Sequence, residues 1–150
     1  MPRKVSADKI NCSKLNEPFF TEDDWKEFNR GIELFNSGKF WHAHEAWEQV
    51  WRRHHEGGRL FIQGLIQMAA AFHLLIEKKR YTGARSNFNK ALRNFHPFEP
   101  TFLGLPVTTF IDAIERAKTA IDQIERGESE DGVHITPPVI SRLQKKSLEE

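Results

Sequence analysis

Cysteine is nearly absent from this chain. Cys12 is the only one in 150 residues, so no disulfide can close within the chain and a four-cysteine zinc site is excluded. That scarcity suits a reducing compartment, and a cytoplasmic location is the expectation. An excess of charge of either sign is lacking as well. The 22 basic and 21 acidic residues leave a net charge of +1 with histidines neutral, so no global field draws the chain toward nucleic acid or an anionic membrane. Met1 to Asn11 is polar and has no apolar h-region of the secretory kind. No glycine-rich phosphate loop is present. No segment alternates convincingly with period two, so no strand is expected. Long apolar runs are scarce too. The one candidate, Leu60 to Ile76, is interrupted by Gln63, Gln67 and His73 and is barely long enough to span a bilayer. It reads as a buried central helix, and neither a membrane nor a nucleic acid is expected as partner.

What the chain does contain is helical periodicity. Thr21 with Asp24 three residues on forms a capping-box-like start, and Glu22, Asp23 and Asp24 suit the positive end of a helix dipole. Trp25, Phe28, Ile32 and Phe35 then give an apolar stripe, and Gly38 supplies a left-handed C-cap. A second helix is expected from Phe40 to His54, a third from Leu60 to Lys78 and a fourth from Tyr81 to Phe95, where the prolines of His96-Pro97-Phe98-Glu99-Pro100 stop it. A fifth is expected from Thr109 to Gly127 on the stripe Phe110, Ile114, Ala117, Ile121, Ile124. Residues 1–20 read as irregular, residues 21–127 as one helical domain, and residues 128–150 as a linker and tail that offer little to bury apart from Val139, Ile140 and Leu143. The fold class is therefore all-α: a single compact bundle of about five helices around a buried third helix. A weak echo at an offset of 41 residues aligns Phe40, Ala43, Trp47 and Trp51 with Tyr81, Ala84, Phe88 and Leu92. It is explained by the small residue any helical hairpin needs where its helices cross.

The segment Phe40 to Arg52 carries the chemistry. Phe40, His44, Trp47, Glu48 and Trp51 fall at i, i+4, i+7, i+8 and i+11, one stripe of a helix. The aromatics mark that stripe as core-facing, so His44 and Glu48 are expected to be partly buried and to need partners. One ion could bridge them, and imidazole with carboxylate suits zinc, iron or manganese. Further candidates lie on the third helix: Gln63 and Gln67 on one face, His73 on another. Glu45 is turned about 100° from His44 by the helical repeat. The near misses are informative. His44-Glu45-x-x-Glu48 lacks the second histidine of a zincin, and no core histidine completes the Glu-x-x-His pair of di-iron bundles. Two readings stay open: a divalent metal site, or a structural hydrogen-bond network joining His44, Glu48, Gln63 and Gln67. Separately, Lys78, Lys79, Arg80, Arg85, Lys90 and Arg93 make the fourth helix basic, whereas residues 112–131 are acidic on balance. A solvated face or a pairing between those two helices accounts for both.

The combination Gly31-x-x-Leu34-Phe35-Asn36-x-Gly38-x-Phe40, Ala43-His44-Glu45-x-x-Glu48-x-x-Trp51-Arg52, Gln63-Gly64-Leu65-Ile66-Gln67-x-Ala69, His73 and Gly83-Ala84 resembles the small all-helical bacterial and archaeal proteins of the domain of unknown function 309 family. The resemblance covers roughly residues 25–95. That family's hallmark, HxxxExxW, corresponds here to His44, Glu48 and Trp51, and the resemblance implies metal binding there without assigning a biochemical role. Two functions are expected on these grounds. One is a metal-dependent hydrolase with His44, Glu48 and His73 as ligands, Glu45 as general base, Arg52 as an anion clamp, and Trp51, Gln63 and Gln67 lining the pocket between the second and third helices. The other is a non-catalytic interaction module that binds a protein partner or a second copy of itself.

Overall fold

A computed structural model describes residues 20–54, 57–128 and 135–142. Five α-helices carry the fold: α1 (Glu22–Asn36), α2 (Phe40–Trp51), α3 (Arg59–Phe72), α4 (Tyr81–Phe95) and α5 (Val107–Glu125). Helix α3 packs between α2 and α4, α1 lies against α2, and α5 lies against α4. The all-α bundle with a central third helix is thus the observed fold.

Local chemistry explains the boundaries. The Thr21 hydroxyl accepts the Asp24 amide at 3.1 Å while the Asp24 carboxylate accepts the Thr21 amide at 3.1 Å, so both halves of the capping box form. Gly38, at φ +80°, lets the chain leave α1 in a left-handed turn. Between α1 and α2 the approach is close at Gly31, where any Cβ would collide with the Trp47 indole. That indole is fully buried, and its N–H donates to the Phe28 carbonyl at 3.1 Å. Gly64 does the same for α3 and α4: a Cβ there would meet the Phe95 ring at 2.7 Å. Ala43 and Ala84, the small residues of the weak sequence echo, are both fully buried.

Together with its extension, α3 spans Arg59–Glu77 and is long and apolar enough to cross a membrane, yet most of that stretch is buried inside the bundle. Phe61, Ile62, Leu65, Met68, Ala69 and Phe72 are fully enclosed. The extension departs from the expected continuous α-helix. Residues His73–Glu77 form a π-helix, with the Lys78 amide reaching the His73 carbonyl at 3.2 Å, five residues back. The wider turn shifts the register of the residues that follow it, a change that an α-helical count cannot anticipate.

Two further expectations are corrected. A minimal antiparallel ladder is present where none was expected, β1 (Thr101–Phe102) against β2 (Leu105–Pro106), and α5 starts at Val107 rather than Thr109. The tail buries more than its composition suggests. Ile140 is 2 % exposed and belongs to the core, whereas Val139 is 70 % exposed. Asn36 holds the backbone of Ile140 from both sides, donating to its carbonyl at 3.0 Å and accepting its amide at 2.8 Å. Arg142 donates to the Leu103 carbonyl at 3.1 Å and to Asn29 at 2.6 Å, and its guanidinium lies 4.8 Å from the Trp25 ring. Residues 135–142 therefore strap α1 to the β1–β2 turn. The irregular segment expected over residues 1–20, apart from Phe20, and Leu143 of the tail lie outside the described residues.

Candidate functional site around His44

Helix α2 presents two faces. Phe40, Ala43, Trp47, Val50 and Trp51 point into the core. His44 is half-buried at the edge of that face. Its Nδ1 is shielded from solvent and has no hydrogen-bond partner among the described residues. Burial pushes the imidazole pKa below its ordinary value. The charges of Glu48 and Glu45 oppose that shift, and His73 reinforces it. His44 is therefore a neutral imidazole near pH 7 with an unengaged ring nitrogen, a costly arrangement for a residue with only a packing role.

Trp41 covers this ring. Its indole stacks on His44 at 4.5 Å with an interplanar angle of 13°, and the His73 ring lies 5.2 Å from the same indole. His73, still α-helical in its own backbone, faces the N-terminal half of α2, on a different side of α3 from Gln67, as the helical count places it. His73 Nδ1 is 2.7 Å from the Glu77 carboxylate, which fixes the ring by the carboxylate–histidine pairing seen behind metal-ligating and basic histidines. Two pairs thus share the His-x-x-x-Glu spacing. His73–Glu77 is closed, and His44–Glu48 is open.

Several residues singled out in the sequence sit elsewhere than expected. Glu48 does not bond His44. It pairs with Arg52 at 3.2 Å on the solvent side, so the two residues meant to carry a ligand and a substrate clamp are engaged with each other. Glu45 turns outward to His42 at 3.4 Å, with more than half its side chain exposed, and is not aimed at His44. Gln67 accepts from the buried Asn94 amide of α4 at 2.7 Å, so the expected network joining His44, Glu48 and Gln67 is replaced by a bond across the opposite side of α3. Gln63 is buried, and the unengaged His44 Nδ1 receives nothing from it. Trp51 is buried, its Nε1 has no partner among the described residues, and the Arg59 guanidinium sits 3.7 Å over its ring. No three histidine, cysteine, aspartate or glutamate side chains converge on one point among the described residues.

A second buried histidine carried no mark in the sequence. His54, just past α2, lies 3.1 Å from the Asp24 carboxylate, and Arg53 reaches the other oxygen of that carboxylate at 2.7 Å. Burial raises the Asp24 pKa. The Thr21 amide and the Arg53 and His54 hydrogen bonds, with the Arg53 charge, outweigh that and hold it below its ordinary value. The signal that could have found this cluster was the capping residue Asp24, whose second oxygen was free for a distant partner. On the surface, Arg85 of α4 binds Asp122 and Glu125 of α5, so basic and acidic helices pair as expected.

The molecule is a small helical bundle, and among the described residues its two buried side-chain polar atoms without a partner, His44 Nδ1 and Trp51 Nε1, both lie on α2. Residues 28–87, from mid-α1 into α4, match the family model described as domain of unknown function (DUF309). No curated protein matches the chain.

Proposed function

We propose that the DUF309 domain of this protein is a cytoplasmic ligand-binding domain whose site centres on His44. One observation carries the proposal: the solvent-shielded Nδ1 of a neutral imidazole without a partner among the described residues. A polar group left in that state costs about 1–3 kcal/mol, and a ligand that donates to it or is coordinated by it recovers that energy. His73, oriented by Glu77 beside the same indole, supplies a second imidazole. Either ring can accept a proton from a bound molecule, so a hydrolytic role remains within reach of this chemistry.

A divalent zinc, iron or manganese ion is the second reading. The orphaned nitrogen and the neutral charge state favour it. The donor set argues against a preformed centre, because Glu48 must first leave Arg52 and no third donor converges among the described residues. A purely structural network of the same residues has lost its main support, since the bonds it required are made elsewhere. Histidine-ring nitrogen NMR, with and without each metal, tests the proposal. We expect His44 Nδ1 to resonate as an unbonded imidazole nitrogen in the free protein and to move on ligand binding. A resonance at the bonded position in the free protein would contradict it.

A further inference from the structure

Next to the His44–Trp41 stack, the start of α2 and the π-helical end of α3 enclose an open groove of about 540 Å³. Lys39, Trp41, His42, His73, Glu77 and Lys78 line it. That volume suits a ligand of mononucleotide size. Trp41 is 44 % exposed, unlike Trp47 and Trp51, which are buried. An exposed indole is an expensive surface to leave in water, yet this one is held in place by a parallel stack on His44 at 4.5 Å. A fixed aromatic surface at the wall of a polar groove is a platform for a flat ring. Lys39 and Lys78 stand at the groove, both exposed, and neither makes an ion pair among the described residues. The acid lining the groove, Glu77, is engaged with His73 at 2.7 Å and sets that ring.

We propose that this groove binds a mononucleotide, with the base against Trp41 and the phosphate between Lys39 and Lys78. The inference rests on the reading of the His44 region as a ligand site and names the class of ligand. Stacking on one indole accounts for affinity without choice of base, and two lysines recognise the phosphate as point charges. A polymer is disfavoured by the near-neutral chain and by the engagement of Arg85 with α5.

The test is calorimetric titration of the full chain with adenosine monophosphate, adenosine and inorganic phosphate as probes. The nucleotide should bind at least about tenfold more tightly than either fragment, since stacking is worth about 1–3 kcal/mol per base. K39E/K78E, two exposed positions, should lower nucleotide affinity about tenfold or more and leave the thermal melt unchanged. W41L should do the same to the affinity of adenosine. No nucleotide binding at millimolar concentration, binding unaffected by both variants, or binding only to a single-stranded polymer would overturn the inference. If the His44 ring signal still responds to another ligand, only the ligand class falls. If it responds to nothing, the reading beneath falls with it.

Discussion

Two histidines, His44 in the first half of α2 and His54 just past its end, meet burial in different ways. His54 gives its Nε2 to Asp24, and Arg53 completes that carboxylate. His44 is shielded at Nδ1 and finds no partner among the described residues. The Asp24–Arg53–His54 cluster ties the entry of α1 to the exit of α2 and satisfies its own charges. The His44–Trp41–His73 cluster is held by ring contacts and by Glu77, and a groove opens beside it. On the proposed reading, stability and function are separated here: the satisfied histidine braces the bundle, and the unsatisfied one is where binding energy can still be gained.

The largest effect should come from breaking the satisfied cluster. Asp24→Ala removes a 3 %-exposed carboxylate, half of the capping box and the partner of His54. Chemical denaturation should show a loss of about 3 kcal/mol, less than for a fully enclosed pair because Arg53 is half-exposed. A loss below about 1 kcal/mol would erase the contrast. Ile140→Ala is a control that touches neither histidine's hydrogen bonds. Its side chain is 2 % exposed, so the same experiment should show a loss of about 2 kcal/mol, and truncation after Glu128 should melt lower still. A truncated chain as stable as the whole would return the tail to the dispensable role its composition suggested.

Acid should attack the two sites in sequence. The His44 pKa is depressed in the fold, so below its ordinary value of 6.5 the unfolded chain binds the proton and the folded one resists it. Its penalty therefore begins as pH falls through 6.5 and stops growing below the folded pKa. Asp24, also depressed, contributes stability that is fully present above its ordinary value of 3.8 and is lost as pH falls through the lower folded value. Melts across this range should show both steps in the wild type, and only the more acidic one in His44→Phe. Glu48→Ala should have the smallest effect, within about 0.5 kcal/mol, because it removes only a surface pair with Arg52.

The helices, the capping box, the Gly38 turn and the central position of α3 were legible because periodicity and caps are local. The core face of α2 was legible for the same reason: Phe40, Trp47 and Trp51 are buried where the stripe put them. His44 was found as an edge residue of that stripe, but its relation to Glu48 was not, because an i, i+4 spacing permits a contact without requiring it. Arg52, at the same spacing from Glu48, took it instead. His73 lies on a different face of α3 from Gln67, as its spacing indicated; what the spacing could not show is the π-helix after it, which brings Glu77 to its ring. Gln67 was drawn to Asn94, a partner 27 residues away on a helix whose polar buried residue carried no periodic mark. The strap at Ile140 escaped for a similar reason: one apolar residue makes no pattern, and its two bonds go to a side chain 104 residues distant.

The most direct measurement compares thermal and denaturant melts of His44→Phe and His54→Phe at pH 7.5. Phenylalanine keeps a ring against Trp41 and deletes the nitrogens. Removing an unsatisfied buried nitrogen should leave His44→Phe as stable as the wild type or more stable by up to about 1 kcal/mol, whereas His54→Phe, which deprives Asp24 of a donor, should lose about 2 kcal/mol. A His44→Phe variant that falls as far as His54→Phe would mean that His44 is a structural residue, and the separation of the two histidines' roles would be contradicted.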